Sequence, residues 1–135
     1  MSRLVREPID LNALSRDVAS PEAGAILTFS GVVRNRNAGR TVVSIDYHAY
    51  DEMAVREMDK IEAEVAERWP GVRARIVHRV GPLNVGETSV AIAVSSAHRA
   101  EGYAASRHAI DRIKETVPIW KKEMYPDGHA WIEGS

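Results

Sequence analysis

Apolar residues recur along this chain at two periods, and the switches between them mark out the elements. Leu11, Leu14 and Val18 share a helical face behind Asp10, an N-capping residue, which predicts a helix over 10–19. Ser20-Pro21-Glu22 breaks it. Ala54, Met58, Ile61, Val65 and Trp69 recur at spacings of four, three, four and four, which predicts a second helix over 51–69, ended by Pro70-Gly71. Ser96 can cap a third helix, with Tyr103, Ile110, Ile113 and Val117 as its inner stripe.

Between the helices the period falls to two. A short strand is predicted over 3–8. Over 24–34, Ala25, Leu27, Phe29 and Val33 take one side and Ile26, Thr28, Val32 and Arg34 the other; both sides are partly apolar, so a central strand is expected. Asn35-Arg36-Asn37-Ala38-Gly39 has turn chemistry, and 41–49 reads as the returning strand of a hairpin. Strands over 73–80 and 88–95 flank a turn at 81–86. Pro118 disfavours helix at the residue before it, so 119–125 is extended, and Asp127-Gly128 turns the chain into a last strand over 129–132. This order predicts an α+β fold: one domain over 1–135, with a mixed, mainly antiparallel sheet and three helices.

Composition narrows the chemistry. The net charge of −1 argues against a dedicated nucleic-acid binder, which carries a basic excess. The sequence has neither an apolar run of membrane-spanning length nor a charged-then-apolar leader, so a cytoplasmic protein is expected. With no cysteine there is no disulfide, thiolate metal site or cysteine nucleophile. The five histidines form no HxH or HxxxH pair, so no metal is expected.

Positive charge is carried by fourteen arginines and only four lysines, and three of those lysines fall within nine residues: Lys114, Lys121 and Lys122. An arginine keeps its proton, whereas a lysine amine that is desolvated, or set beside another amine, can give its proton up. Lys121 follows Trp120, which can help to desolvate it. Lys122 and Glu123, taken on chemistry alone, read as a surface ion pair.

Two further groups carry chemistry. His98-Arg99 opens the third helix, where the helix dipole disfavours positive charge. Free backbone N–H groups with Arg and His side chains there make a receptor for phosphate or carboxylate. Arg34 ends a strand before a glycine-containing loop and can present a rigid fork to an anion, while Arg36 and Arg40 read as a solvated hairpin tip. His78, mid-strand on a face with Ala74, Ile76 and Val80, reads as a hydrogen-bonded structural histidine. Arg99 and Lys114 lie fifteen residues apart on one helix, about 22 Å at 1.5 Å per residue. One small substrate cannot touch both. Either the two are unrelated or, as we expect, one subunit supplies Arg99 and a second supplies Lys114 across a symmetric interface.

The stretches from Gly24-Ala25 through Phe29-Ser30-Gly31-Val32-Val33-Arg34, then His78-Arg79-Val80-Gly81, Val94-Ser95-Ser96-Ala97-His98-Arg99 and Pro118-Ile119-Trp120-Lys121-Lys122-Glu123 together resemble the large, catalytic subunit of molybdopterin synthase. Gly128 and Trp131 add weaker support. The resemblance implies an α/β hammerhead fold. It implies insertion of two sulfurs into cyclic pyranopterin monophosphate (precursor Z), giving the molybdopterin dithiolene of molybdenum cofactor biosynthesis. The sulfur would arrive as a thiocarboxylate on the C-terminal Gly-Gly of a small ubiquitin-like partner. The implied assembly is a heterotetramer, a central homodimer with one small subunit at each end. No cofactor, nucleic acid or membrane is implied. Carried over by the resemblance, the substrate-contacting positions are Val32, Val33, Arg34, His98, Arg99, Lys114, Lys121, Lys122 and Glu123. Lys121 would be the general acid or base, and Lys114 would position thiocarboxylate and substrate. The sequence ends four residues after Trp131 without the basic tail of some family members, which leaves open any anion contact from the C-terminus.

Two readings compete. A non-catalytic, dimeric anion-binding scaffold would need the pocket but not the amines. An RNA-binding module using the 34–40 loop would bind with a steep salt dependence, and near-neutral charge and few aromatics argue against it.

Overall fold

A computed structural model describes residues 3–134. Met1, Ser2 and Ser135 lie outside the described residues, and with them the two ends of the expected domain and the chain's last position.

Strand β1 (Arg3–Val5) leads to helix α1 (Leu11–Val18), where the Asp10 carboxylate accepts a bond from the Ala13 amide at 3.0 Å and so caps the first turn. Strand β2 (Ala25–Val32) runs into a ribbon of β3 (Arg36–Asn37) and β4 (Arg40–Thr41), then into β5 (Ser44–Ala49). Helix α2 (Asp51–Arg68) is followed by β6 (Arg73–Arg79), β7 (Gly81–Asn84) and β8 (Thr88–Ser96). Helix α3 (Arg99–Thr116) precedes the hairpin of β9 (Ile119–Tyr125) and β10 (Gly128–Glu133). The fold is the expected α+β, with three helices and mixed, mainly antiparallel sheets among the described residues. No helix among them is long and apolar enough to cross a membrane.

The strands divide into two four-stranded sheets, β1-β6-β8-β2 and β10-β9-β5-β7, plus the β3-β4 ribbon. In the first sheet Ala74, Ile76, Ile92 and Val94 face a core shared with Met58 and Ile61 of α2 and Ala109 and Ile113 of α3. The alternate positions Val77, Ala91 and Ala93 pack on Leu14 and Val18 of α1. Strand β8 is therefore covered on both faces, which is why it reads as a near-continuous apolar run. Ile45, Tyr47, Leu83 and Ile119 bring the second sheet into the first core.

Four expectations change. Strand β2 is not central but lies at the edge of its sheet, and Ile26, Phe29 and Val32 are exposed on it. Strands β2 and β5 do not form a hairpin. A bulge between Gly31 and Val32 ends the β2 ladder, and β5 pairs with β7 and β9 instead. The segment after Val80 is partly strand, since β7 pairs with β5, leaving only the tight turn at Gly86. The inner stripe of α3 is Gly102, Ala105, Ala109 and Ile113, while Tyr103 is exposed. Small residues form this stripe because α3 lies close on β2 and β8: a Cβ on Gly102 would meet Leu27 Cδ1 and Ser96 Oγ, each at 2.7 Å.

Gly102→Ala is therefore expected to destabilise the fold by about 1–3 kcal/mol through overpacking. Urea unfolding checks this, and an unchanged midpoint would show that α3 has room to move.

Candidate functional site

Strand β9 divides its charges by face. Ile119, Lys121, Glu123 and Tyr125 alternate on one side, and Trp120, Lys122 and Met124 take the other. On the first side Ile119 and Glu123 are buried. Lys122 faces outward, directly opposite Trp131 on β10, with its amine 5.7 Å from the indole. The pair expected of Lys122 and Glu123 does not form. Adjacent strand residues point apart, and the Glu123 carboxylate is satisfied inside the protein by the Asn37 side-chain amide at 2.9 and 3.1 Å and the Tyr125 hydroxyl at 3.0 Å.

That carboxylate helps anchor the β3-β4 ribbon. Arg40, exposed as expected, also lies 3.9 Å over the Tyr125 ring and bonds Asp127 at 3.0 Å. Ala38 and Gly39 make the ribbon's turn with positive φ. Arg34, exposed just past the end of β2, lines with Asn35, Arg36, Val85 and Gly86 a cleft of about 520 Å³. Val32 is exposed at the β2 end. The Val33 side chain is buried, its N–H donates to Glu87 and its carbonyl accepts from Gly86.

Lys114 lies in the last turn of α3, beside a cleft of about 430 Å³ lined also by Val117, Pro118, Trp120 and Glu133. By surface area the residue is exposed, yet enough protein surrounds its amine to lower the pKa below the ordinary lysine range; partial burial is the main cause and the Lys121 charge the second. The two amines are thus within electrostatic reach of each other. The Lys114 charge also reaches His78. The histidine is fully buried, its Nδ1 is 2.8 Å from the Arg79 carbonyl, and its ring meets Tyr47 edge-on at 5.2 Å. A carbonyl only accepts, so Nδ1 carries the proton and Nε2 is a bare acceptor, here without a hydrogen-bond partner. Burial, aided by the Lys114 charge, lowers the His78 pKa to about 4.

His98 is the N-cap residue of α3 and Arg99 its first residue, both exposed; Ser96, expected as the cap, instead donates its hydroxyl to the His98 carbonyl at 2.6 Å. The start of α3 is left without a side-chain cap, open to an anion. His98 and Arg99 stand at the far end of α3 from Lys114, so one chain does not bring them together. Asn37, Tyr47 and the bare face of His78 were missed in the sequence. Asn37 reaches Glu123 across 86 positions, a separation for which the sequence carries no local signal. No group of three or more His, Asp and Glu residues that could hold a metal ion occurs among the described residues.

Because His78 is neutral when folded, stability is complete above its ordinary pKa of 6.5 and declines as pH falls toward about 4. That gap corresponds to about 3 kcal/mol. Urea unfolding over this window should show wild type losing about that much more stability than His78→Phe. Equal losses would mean that His78 protonates in the folded state at little expense.

The model of the family described as "MoaE protein" matches residues 4–116. The molybdopterin synthase catalytic subunit of Bacillus subtilis (strain 168) is 47% identical over 129 residues, covering 96% of this chain and 82% of the relative. That of Pyrococcus abyssi (strain GE5 / Orsay) is 44% identical over 134 residues, covering 97% and 90%. The crystal structure of molybdopterin synthase from Staphylococcus aureus superposes with a TM-score of 0.94 at 42% identity, over 96% of this chain and 95% of that one. A complex of subunits 1 and 2 of the molybdopterin-converting factor from Helicobacter pylori 26695 contains the same fold, with a TM-score of 0.79 at 18% identity, over 96% of this chain and 88% of that one.

Proposed function

The chain belongs to the MoaE protein family, and on that premise we propose that it is the catalytic subunit that inserts sulfur into cyclic pyranopterin monophosphate to form the molybdopterin dithiolene. The observation that carries this reading is a partly desolvated lysine, Lys114, within electrostatic reach of a second, Lys121, in a chain that has no cysteine. Sulfur must come from outside, and the thiocarboxylate on the C-terminal Gly-Gly of a small ubiquitin-like partner supplies it. A protein of the same fold is found in complex with the other subunit of its molybdopterin-converting factor.

The reaction brings two anions together, a phosphate-bearing pterin and a thiocarboxylate. Their repulsion is offset by cations, and Lys114, Lys121 and Arg34 provide them on one chain. The thiocarboxylate sulfur bonds to a pterin side-chain carbon as that carbon's bond to oxygen breaks, the oxygen leaving as water or on the phosphate, and a further water then cleaves the acyl–sulfur bond. Sulfur stays on the pterin and the partner leaves as a carboxylate; a second delivery completes the dithiolene. Lys121 moves the proton at the attacked carbon, and its lowered-pKa neighbour Lys114 positions the thiocarboxylate. Val32 and Val33 shape the crevice wall, and Lys122 and Glu123 flank Lys121.

His98 and Arg99 join from a twin subunit. The β2 edge is open, with Ile26, Phe29 and Val32 exposed along it. Antiparallel pairing of two β2 edges about a twofold axis sets the start of one strand against the end of the other. The start of β2 is tied to Ser96, through Ala25 in the ladder and the Gly24 amide at 2.9 Å. The His98-Arg99 corner of one chain then meets Val32–Arg34 of its twin, and each crevice gains a phosphate receptor. With a small subunit at each end the assembly is a heterotetramer.

In turnover of precursor Z with thiocarboxylated partner, Lys121→Ala is expected to lose about 100-fold or more. Unchanged turnover would remove that lysine from the mechanism and favour the anion-binding scaffold. Lys121→Ala and Arg99→Ala chains, each inactive alone, should regain about a quarter of wild-type activity when mixed as dimers, because one site of each hybrid is intact. No recovery would show that both residues act within one chain.

A further inference from the structure

Strand β6 carries a row of inward side chains, Ala74, Ile76 and His78, and the first two pack in the same core as Ala109 and Ile113 of α3. Helix α3 starts beyond the Ser96 end of β8 and packs back along that strand. In the ladder Arg73 pairs with Ser95 and His78 with Val90, so β6 follows α3 in the same direction. The last turn of α3, which carries Lys114, therefore ends over the His78–Val90 pair. The Lys114 charge is felt at the His78 ring, as this placement requires. From the other side comes Tyr47, the cross-strand partner of Lys121, edge-on to His78.

A buried acceptor without a donor weakens a fold, and it is found where the missing donor arrives during function. The polar groups around His78 are largely spoken for. The Tyr47 hydroxyl bonds with Ser89, and Glu123 takes its bonds from Asn37 and Tyr125. Of the lysine pair, Lys114 is the one whose charge reaches the ring, and it is carried on the turn of α3 that ends over this part of β6.

We propose that His78 is a positioning residue for the lysine pair: its Nε2 accepts a hydrogen bond from the Lys114 amine when substrate and partner fill the crevice, fixing where that amine points. This rests on the catalytic reading above. No proton changes owner. Nδ1 keeps its proton and donates it to the Arg79 carbonyl, the tautomer is locked, and Nε2 remains an acceptor. One N–H of Lys114 is then held by His78, which sets the direction in which the amine meets the thiocarboxylate.

Kinetics and NMR on the two-subunit enzyme test this. His78→Phe keeps the bulk and removes the acceptor; it should lower kcat by about tenfold or more, with the KM for precursor Z changed less than about twofold. An acceptor favours the charged amine, so the amine limb of the pH–rate profile should move to lower pH in His78→Phe. His78→Gln, which keeps an oxygen acceptor at that reach, should restore most of kcat. The second measurement is the ¹⁵N resonance of His78 Nε2, read with thiocarboxylated partner and precursor bound. It should move toward the hydrogen-bonded position in wild type and in Lys121→Met, and stay at the bare-nitrogen position in Lys114→Met. A folded His78→Phe enzyme with unaltered kcat and pH profile would overturn the proposal. So would an Nε2 resonance that ignores Lys114 or follows Lys121, and this readout decides the matter if His78→Phe does not fold. Because NMR needs binding but not turnover, an inactive wild type would count against the catalytic reading alone.

Discussion

Like charges repel, and the arrangement at the centre of this protein keeps two ammonium groups near each other in partly dehydrated surroundings. What holds them is the packing of their neighbours. Lys114 is carried between buried Ile113 and buried Val117, and Lys121 between buried Ile119 and buried Glu123. Burying an Ile or Val stabilises by about 1.5–3 kcal/mol, against about 1 kcal/mol of repulsion between two charges 4 Å apart in water. The backbone therefore keeps the two side chains near each other, and the lowered pKa of Lys114, due first to partial burial and second to the Lys121 charge, is borne without unfolding. An arginine at that position would not lose its proton under the same pressure.

The acid beside these bases is kept apart from them by hydrogen bonding. Glu123 shares a strand face with Lys121 but receives its bonds from Asn37 and Tyr125. It anchors, through Asn37, the ribbon that follows Arg34, and so ties that segment to the strand that carries Lys121. Lys122, one residue away, faces the indole of Trp131 on the opposite side of the sheet. One strand thus gives three consecutive charged residues three environments through alternation alone.

Length imposes the second constraint. Helix α3 is a single rigid element from Arg99 to Thr116, with its anion-receptive start at one end and the lysine at the other. Such a rod cannot fold back on itself, so a substrate that needs both ends needs two rods. The open β2 edge carries exposed apolar side chains, and in the proposed dimer twofold symmetry would turn a separation within the chain into proximity between chains.

Much of this was legible before any coordinates. The period of 3.6 located α1 and α2, Pro118 set the boundary between α3 and β9, and the clustering of scarce lysines singled out the segment on which the proposed chemistry rests. These are local signals, written in neighbouring residues. Strand partnership was not legible: β2 looked central because both of its sides are partly apolar, and only the completed sheet shows one of its edges unpaired. The inner stripe of α3 escaped because close approach selects Gly102, Ala105 and Ala109, which carry little hydrophobic signal. The burial of Glu123 and the bare nitrogen of His78 depend on residues tens of positions away. Residue types and their spacing determined which groups this protein possesses; the tertiary structure decided which of them lose water and which meet, because dehydration and contact belong to the packed chain and to no segment of it.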